Sequence, residues 1–370
     1  MSDEGCVNTI LARHGSRELR LWWRFSDNIP LLPPVSSNHA LTALLPLAMH
    51  EAADLHVRGT VDRTLVENLE EVIDAWTLWR PDLYRRIHIS ADSIIEGPPR
   101  PGNDAALMYS GGVDANYALL AHKSGLLGHR NRNIGAAVLV HGFDIPLTNV
   151  EWFDTARQHA LPILDNVGCQ LLEVRTNWRE VSVDWEMDHG FAITSVLHQL
   201  DATYSHGLWA ADEPYNREVI PWGSNSISNP LLSGGVFPIR TVGAGANRST
   251  KVGLIAQNDV VRNHLRVCWR HPDNGLNCGI CEKCVRTRLA LLAHGFEHTQ
   301  SFHGTLTPEL VLGIKIGNRI QLELLEEILS IPNCQLPPKL RSALSTRIET
   351  HNASTQQNRR SWKRWFLRGL

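Results

Sequence analysis

The chain has 370 residues, 43% hydrophobic and 20% charged, which supplies a full core and room for two or three packed units. Its formal charge of −2 gives no general attraction to nucleic acid or anionic membrane, so either role would need a local basic patch. No uncharged apolar run approaches the roughly 18 residues that span a bilayer, and the start of the chain, with Asp3 and Glu4 and an apolar run broken by Arg13 and His14, does not resemble an export signal; a cytoplasmic protein without a transmembrane segment is expected.

In chain order, Leu19, Leu21, Trp23 and Phe25 alternate with other residues as in a half-buried strand. Leu65, Leu69, Val72, Ile73 and Trp76 recur at helical spacing until Pro81 ends the pattern. Residues 1–100 therefore read as a small α+β extension, closed by the linker Gly97–Gly102. From Ala105 strands and helices alternate: AALMY, a helix from about Ala115, AAVLV, a helix from about Val150, CQLLEV, a helix near Gly190, and GLWAA. The expected fold is α/β, a doubly wound, mainly parallel sheet over 101–262 with its ligand outside the carboxyl ends of the strands. A four-cysteine module over 263–300 and a helical segment over 301–370 follow, the latter through Leu322, Leu325, Leu329, Leu340, Leu344 and Ile348.

Ser110-Gly111-Gly112-Val113-Asp114 stands between the first strand of this sheet and a helical stretch, Tyr117 to Leu127. Two glycines let the backbone turn several N–H groups into one concavity, and the helix start adds its positive dipole end, a combination that binds polyphosphate. Ser110 can donate to a phosphate oxygen, and Asp114 can cap the helix or hold the Mg²⁺ that accompanies ATP. A glycine pair after a strand also suits a plain tight turn. In this position SGGVD resembles the PP-loop of enzymes that cleave ATP between its α and β phosphates, with Ala115 where that signature has Ser. At the ends of the next two strands, His141 reads as a wall beside adenosine and Arg175 as a phosphate or carboxylate clamp. Asp212 and Glu213 are candidates for a second magnesium or for an acid at an ammonia site. The run Trp222 to Pro230, rich in small polar side chains, suits recognition of a base or acid, and equally a surface loop.

Of seven cysteines, Cys6, Cys169 and Cys334 are scattered, while Cys268, Cys278, Cys281 and Cys284 cluster. In a reducing compartment that spacing indicates metal rather than disulfides. Four thiolates suit tetrahedral zinc in a closed, structural site, and an iron–sulfur cluster is the rival. The formal charge of about −2 on such a site can be offset by Arg266, Arg270, Lys283, Arg286 and Arg288.

Together, the loop, Thr250-Lys251 at the start of a helix, and Cys…Cys-Gly-x-Cys-x-x-Cys followed by Arg286 resemble the 7-cyano-7-deazaguanine synthase family over about Asp104 to Gly295. That family is a branch of the PP-loop ATP pyrophosphatases with an adenine nucleotide alpha hydrolase-like fold. The resemblance implies an ATP-dependent ligase of queuosine biosynthesis. It adenylates the carboxylate of 7-carboxy-7-deazaguanine, lets ammonia displace AMP to form an amide, and activates the amide again to form the nitrile. Carried onto this chain, Ser110, Gly111, Gly112, Val113 and Asp114 would bind ATP and Mg²⁺, Lys251 would lie near the phosphates as a third catalytic residue with Ser110 and Asp114, and the four cysteines would hold structural Zn²⁺. The chain departs from the family in the residues before the loop, a longer first cysteine gap, Ala115, and the segment after the cysteines.

Two other functions fit the same residues: a PP-loop enzyme that modifies or thiolates tRNA, and an ATP-binding component of a defence or biosynthetic system that acts with a partner protein. The tail Arg359–Arg368 interleaves cations with Trp362, Trp365 and Phe366, which suits a partner protein, a macromolecular substrate, a membrane interface, or packing on the chain itself. A homodimer is among the expected assemblies.

Overall fold

The structure is a computed structural model that describes residues 5–268, 270 and 275–366, with side chains through Ser354. Its elements are β1 (Cys6–His14), β2 (Arg17–Phe25), α1 (Asn38–His50), β3 (Leu55–Asp62), α2 (Arg63–Trp79), β4 (Ile89–Ile95), β5 (Asp104–Met108), α3 (Val113–Lys123), β6 (Asn133–His141), α4 (Val150–Asn166), β7 (Gln170–Thr176), α5 (Trp185–Leu197), β8 (His206–Ala210) and β9 (Ile239–Val242). After these come α6 (Arg248–Ile255), α7 (Asp259–His264), α8 (Glu282–Ala293), α9 (Pro308–Leu312), α10 (Arg319–Leu329) and α11 (Pro338–Phe366). The chain divides into two compact units, 1–247 and 248–370.

The first unit is an α/β structure around a seven-stranded sheet of order β1-β2-β7-β6-β5-β8-β9. From β7 to β9 every neighbouring pair is parallel, and these strands are apolar on both faces, as a sheet covered by helices requires. The chain leaves β5 for β6 and β7 on one side and returns to β8 and β9 on the other, so the strand order reverses between β5 and β8.

The alternating Leu21, Trp23 and Phe25 are buried because β2 joins this sheet, antiparallel to β7 through Trp23↔Thr176 and Phe25↔Val174. α2 buries the apolar face read from its spacing, Leu65, Leu69, Val72, Ile73 and Trp76. A two-stranded parallel sheet, β3 with β4, flanks it, and α1 packs against α5. Asp62 ties this region to the loop before β9: it caps α2 by accepting from Leu65 N (3.1 Å) and also accepts from Gly235 N (3.0 Å) and Val236 N (2.8 Å).

The second unit is helical, built on α6 to α11 around Leu289, Leu291, Leu325, Ile328 and Leu344. The side chains of the tail Arg359–Arg368 lie outside the described residues. Among the described residues no helix is long and apolar enough to cross a membrane.

Candidate functional site

β5 is followed by Tyr109, whose N–H donates to Val138 O on β6 (2.8 Å), and the chain then turns through Ser110–Gly112 into α3. Gly111 sits at φ 74°, in the left-handed region that side chains disfavour. Gly112 is the extended N-cap of α3, and no side chain caps the helix. The loop is shaped by a residue that motif reading passed over. Asn116, fully buried, donates from Nδ2 to Gly111 O and Gly112 O (both 2.9 Å), donates its backbone N–H to Gly112 O (3.0 Å), and accepts from the Tyr109 hydroxyl (2.7 Å). Both glycine carbonyls are thereby held on the protein side, while the first-turn N–H groups of α3 have no partner within their own helix. Ser110 is exposed, Asp114 stands half-buried in the first turn, and Val113 packs inward. Ala115 is 4% exposed, so its methyl fills core space where the PP-loop signature has a hydroxyl.

The neighbouring strand ends are tightly built. His141, buried at the end of β6, engages Pro146 O through Nε2 (2.8 Å) and stacks on Phe153 at 4.6 Å; burial holds its pKa below the ordinary value. Gly142 has φ 113°, and a Cβ there would stand 1.9 Å from Thr176 O, so only glycine fits this contact between the ends of β6 and β7. Arg175 lies in register with His141 on one side and Arg24 on the other, half-buried, with its Nε lacking a hydrogen-bond partner.

Beyond these ends stands an aromatic group. Phe143 lies 6.5 Å from Trp178 and 5.7 Å from Trp185, and His189 lies between Trp185 (6.0 Å) and Trp222 (5.8 Å). The Arg179 guanidinium covers Trp185 at 4.2 Å. Asp212, two residues past β8, accepts from Trp222 Nε1 (3.1 Å) and forms an ion pair with His189 Nε2 (3.3 Å) that falls outside hydrogen-bond geometry. Burial pushes the His189 pKa down, but Asp212 beside it more than offsets this and the ring stays above its ordinary value. The pair is 23 positions apart in sequence (212 − 189), which is why no motif exposes it.

The polar run Trp222–Pro230 holds itself together. Asn225 accepts from Ile227 N (3.0 Å) and Ser228 N (2.9 Å) and donates to Trp222 O (2.9 Å), while Asn229 accepts from Asn225 N (3.1 Å). These buried amides serve the loop's own backbone.

In the second unit the Sγ atoms of Cys268, Cys278, Cys281 and Cys284 lie within 4.8 Å of one another, with Cys268–Cys281 and Cys278–Cys284 both at 3.9 Å. All four thiols are free. A tetrahedral ion with bonds of ~2.3 Å needs sulfurs ~3.8 Å apart, so the cluster fits zinc as it stands. Contact with Cys284 is the main cause that pulls the Cys281 thiol well below its ordinary value, toward the ligating thiolate form. Cys281 is also the N-cap of α8, whose positive end favours thiolate charge.

Asn277, absent from any motif, braces the two cysteine-bearing segments. It accepts from Val267 N (2.9 Å) and Cys268 N (3.0 Å) and donates to Leu265 O and Ser301 O (both 2.8 Å). Among the expected cations, Arg286 is paired with Glu282, whereas Arg288 donates to Gly279 O (3.2 Å). Lys251 is 1% exposed in α6 of this unit and is engaged within the structure.

Set against known proteins, the chain matches no family model, no curated protein and no solved structure.

Proposed function

We propose that Ser110–Asp114 binds the phosphates of ATP and that the protein is an ATP-dependent, AMP- and pyrophosphate-forming ligase. The observation that carries this reading is the loop itself: two glycines whose carbonyls are turned inward by Asn116, an uncapped helix start, and a location at the carboxyl end of β5 where the strand order reverses. In a doubly wound sheet that reversal is where ligands bind. N–H groups and a helix dipole there favour an anion, and Asp114 supplies a carboxylate for Mg²⁺.

A substrate carboxylate oxygen attacks the α-phosphorus, the bond to pyrophosphate breaks, and an acyl-adenylate forms. A nitrogen nucleophile such as ammonia then adds to the carbonyl carbon, loses its proton, and expels AMP. The half-buried Phe143, Trp185 and Trp222 at the same end of the sheet support a flat, heteroaromatic carboxylate, consistent with the resemblance to 7-deazaguanine enzymes. Zinc, held by the four cysteines with no open ligand position, has a structural role in this reading.

Ser110→Ala and Asp114→Ala alter a loop hydroxyl and a first-turn carboxylate, so the fold is expected to persist while ATP turnover falls by at least about 100-fold. Unchanged AMP release from both variants, with melting curves like the parent's, would refute the assignment.

A further inference from the structure

Between α3 and the outer strand β9 runs a groove of about 450 Å³, within the size range of small-molecule sites. Leu208, Ile239 and Val242 contribute its apolar lining. Asp212, Glu218 and Ser226 belong to one end, and His122, Arg130, Arg132 and Arg240 converge at the other.

The two ends differ in how their polar groups are met. At the acidic end, Asp212 has Trp222 and His189, and Glu218 accepts from Ser226 N (2.9 Å) and Ser226 Oγ (2.6 Å). At the basic end, among the described residues, Arg130, Arg132 and Arg240 make no ion pair with a carboxylate, although Asp104 acts on the neighbouring His206. Arg132 Nη1 donates to Asn131 O (2.8 Å), but its Nε is buried without a partner.

His122 repeats the pattern. Its Nδ1 accepts from Arg132 N (3.0 Å), which leaves the proton of the neutral ring on Nε2, and that nitrogen is buried with no acceptor in a residue 5% exposed. Two histidines register the positive field: His122 is held near 4 by burial and then by Arg132 and Arg130, and His206 is lowered by burial and then by Arg132 and Arg240, with Asp104 acting against them. A buried donor without an acceptor costs free energy, and several that converge select an oxyanion.

We propose that this end of the groove binds the phosphate of a phosphorylated small molecule whose body lies along Leu208, Ile239 and Val242. Three guanidinium charges exceed the single charge of a carboxylate, whereas a phosphate monoester offers three oxygens and nearly two charges. The groove is larger than a phosphate ion, which leaves room for the ester body. The inference stands apart from the ATP reading, since none of Ser110–Asp114 lines the groove.

The test is calorimetric titration of the full chain with inorganic phosphate and with glycerol phosphate, repeated with a non-hydrolysable ATP analogue present, while carbon-labelled histidines are followed by NMR. Saturable binding that persists with the analogue, with shifts at His122 and His206, is expected. Arg130→Ala with Arg240→Ala, both at exposed positions, should weaken binding at least tenfold with zinc content and melting unchanged, and Ser110→Ala should leave it intact. Equal affinity in the double arginine variant overturns the site. Displacement by malonate as effective as by glycerol phosphate overturns the phosphate class, and displacement by short single-stranded RNA at lower concentration than glycerol phosphate overturns the small-molecule class.

Discussion

The Ser110–Asp114 loop, proposed to bind phosphates, and the cysteine cluster, which could hold a metal ion, are built in opposite ways. The loop is made of backbone, and its shape is set within the chain by two glycines and one buried side chain, Asn116. The cluster is made of four side chains, Cys268 and Cys278 from irregular segments braced by Asn277 and Cys281 and Cys284 from the start of α8, and its sulfurs lose most of their reason to converge if no ion holds them. A preorganised backbone site binds and releases a substrate with little rearrangement, whereas a thiolate site couples metal binding to folding.

The largest expected effect tests the second half of that contrast. Cys281→Ser removes one of four ligands, and structural zinc contributes about 10–16 kcal/mol in small zinc-binding peptides. The variant should contain no stoichiometric zinc, and limited proteolysis should digest 248–370 while sparing 1–247. Elemental analysis of the parent should give one zinc and no iron; retained zinc and an undisturbed second unit in the variant would remove the coupling. A smaller effect is expected at the loop. Asn116→Ala leaves Gly111 O and the Tyr109 hydroxyl without their side-chain partner, while Gly112 O keeps the backbone N–H of residue 116; a loss of about 2 kcal/mol is expected, read by denaturant unfolding together with weaker ATP binding. If stability falls while ATP affinity holds, Asn116 supports the fold and not the loop's readiness.

The smallest effect concerns pH. His189 has a folded pKa above its ordinary 6.5, so its pairing with Asp212, aided by the charge of Asp144, stabilises the fold fully below 6.5 and is lost as pH rises through the folded value. Unfolding free energies at pH 6 and pH 8 should differ more in the parent than in Asp212→Asn. An equal difference in both would place the pH dependence elsewhere.

How much of this was legible in the sequence follows from where the signal was local. The helical face of α2, the alternation in β2, and the strand–loop–helix around Ser110 are patterns of spacing, and each appears where the spacing put it. The four cysteines converge for the same reason. α1 escaped because it is buried at most of its 13 positions and so has no polar face to mark a period, and Pro46 inside it reads as a breaker. β9 has only four residues, too few for any alternation. That β2 would pair with β7 could not be read, since alternation says that a strand has a buried face and not which neighbour it takes. Asn116, Asn277 and His189 were missed because their partners are main-chain atoms or residues distant in sequence; an asparagine two residues past the loop aspartate, and another directly before the second cysteine, were the faint clues. The unpaired arginines beside β9 had no sequence signal, because net charge hides local imbalance.

The claim that the preformed loop splits ATP between its α and β phosphates is tested most directly by product identity. The purified chain is incubated with ATP, Mg²⁺, ammonia and a panel of heteroaromatic carboxylates including 7-carboxy-7-deazaguanine, and the nucleotides are separated. AMP and pyrophosphate in equal amounts, dependent on a carboxylate and absent with Asp114→Ala, are the predicted result; formation of ADP and phosphate by the parent chain would contradict it.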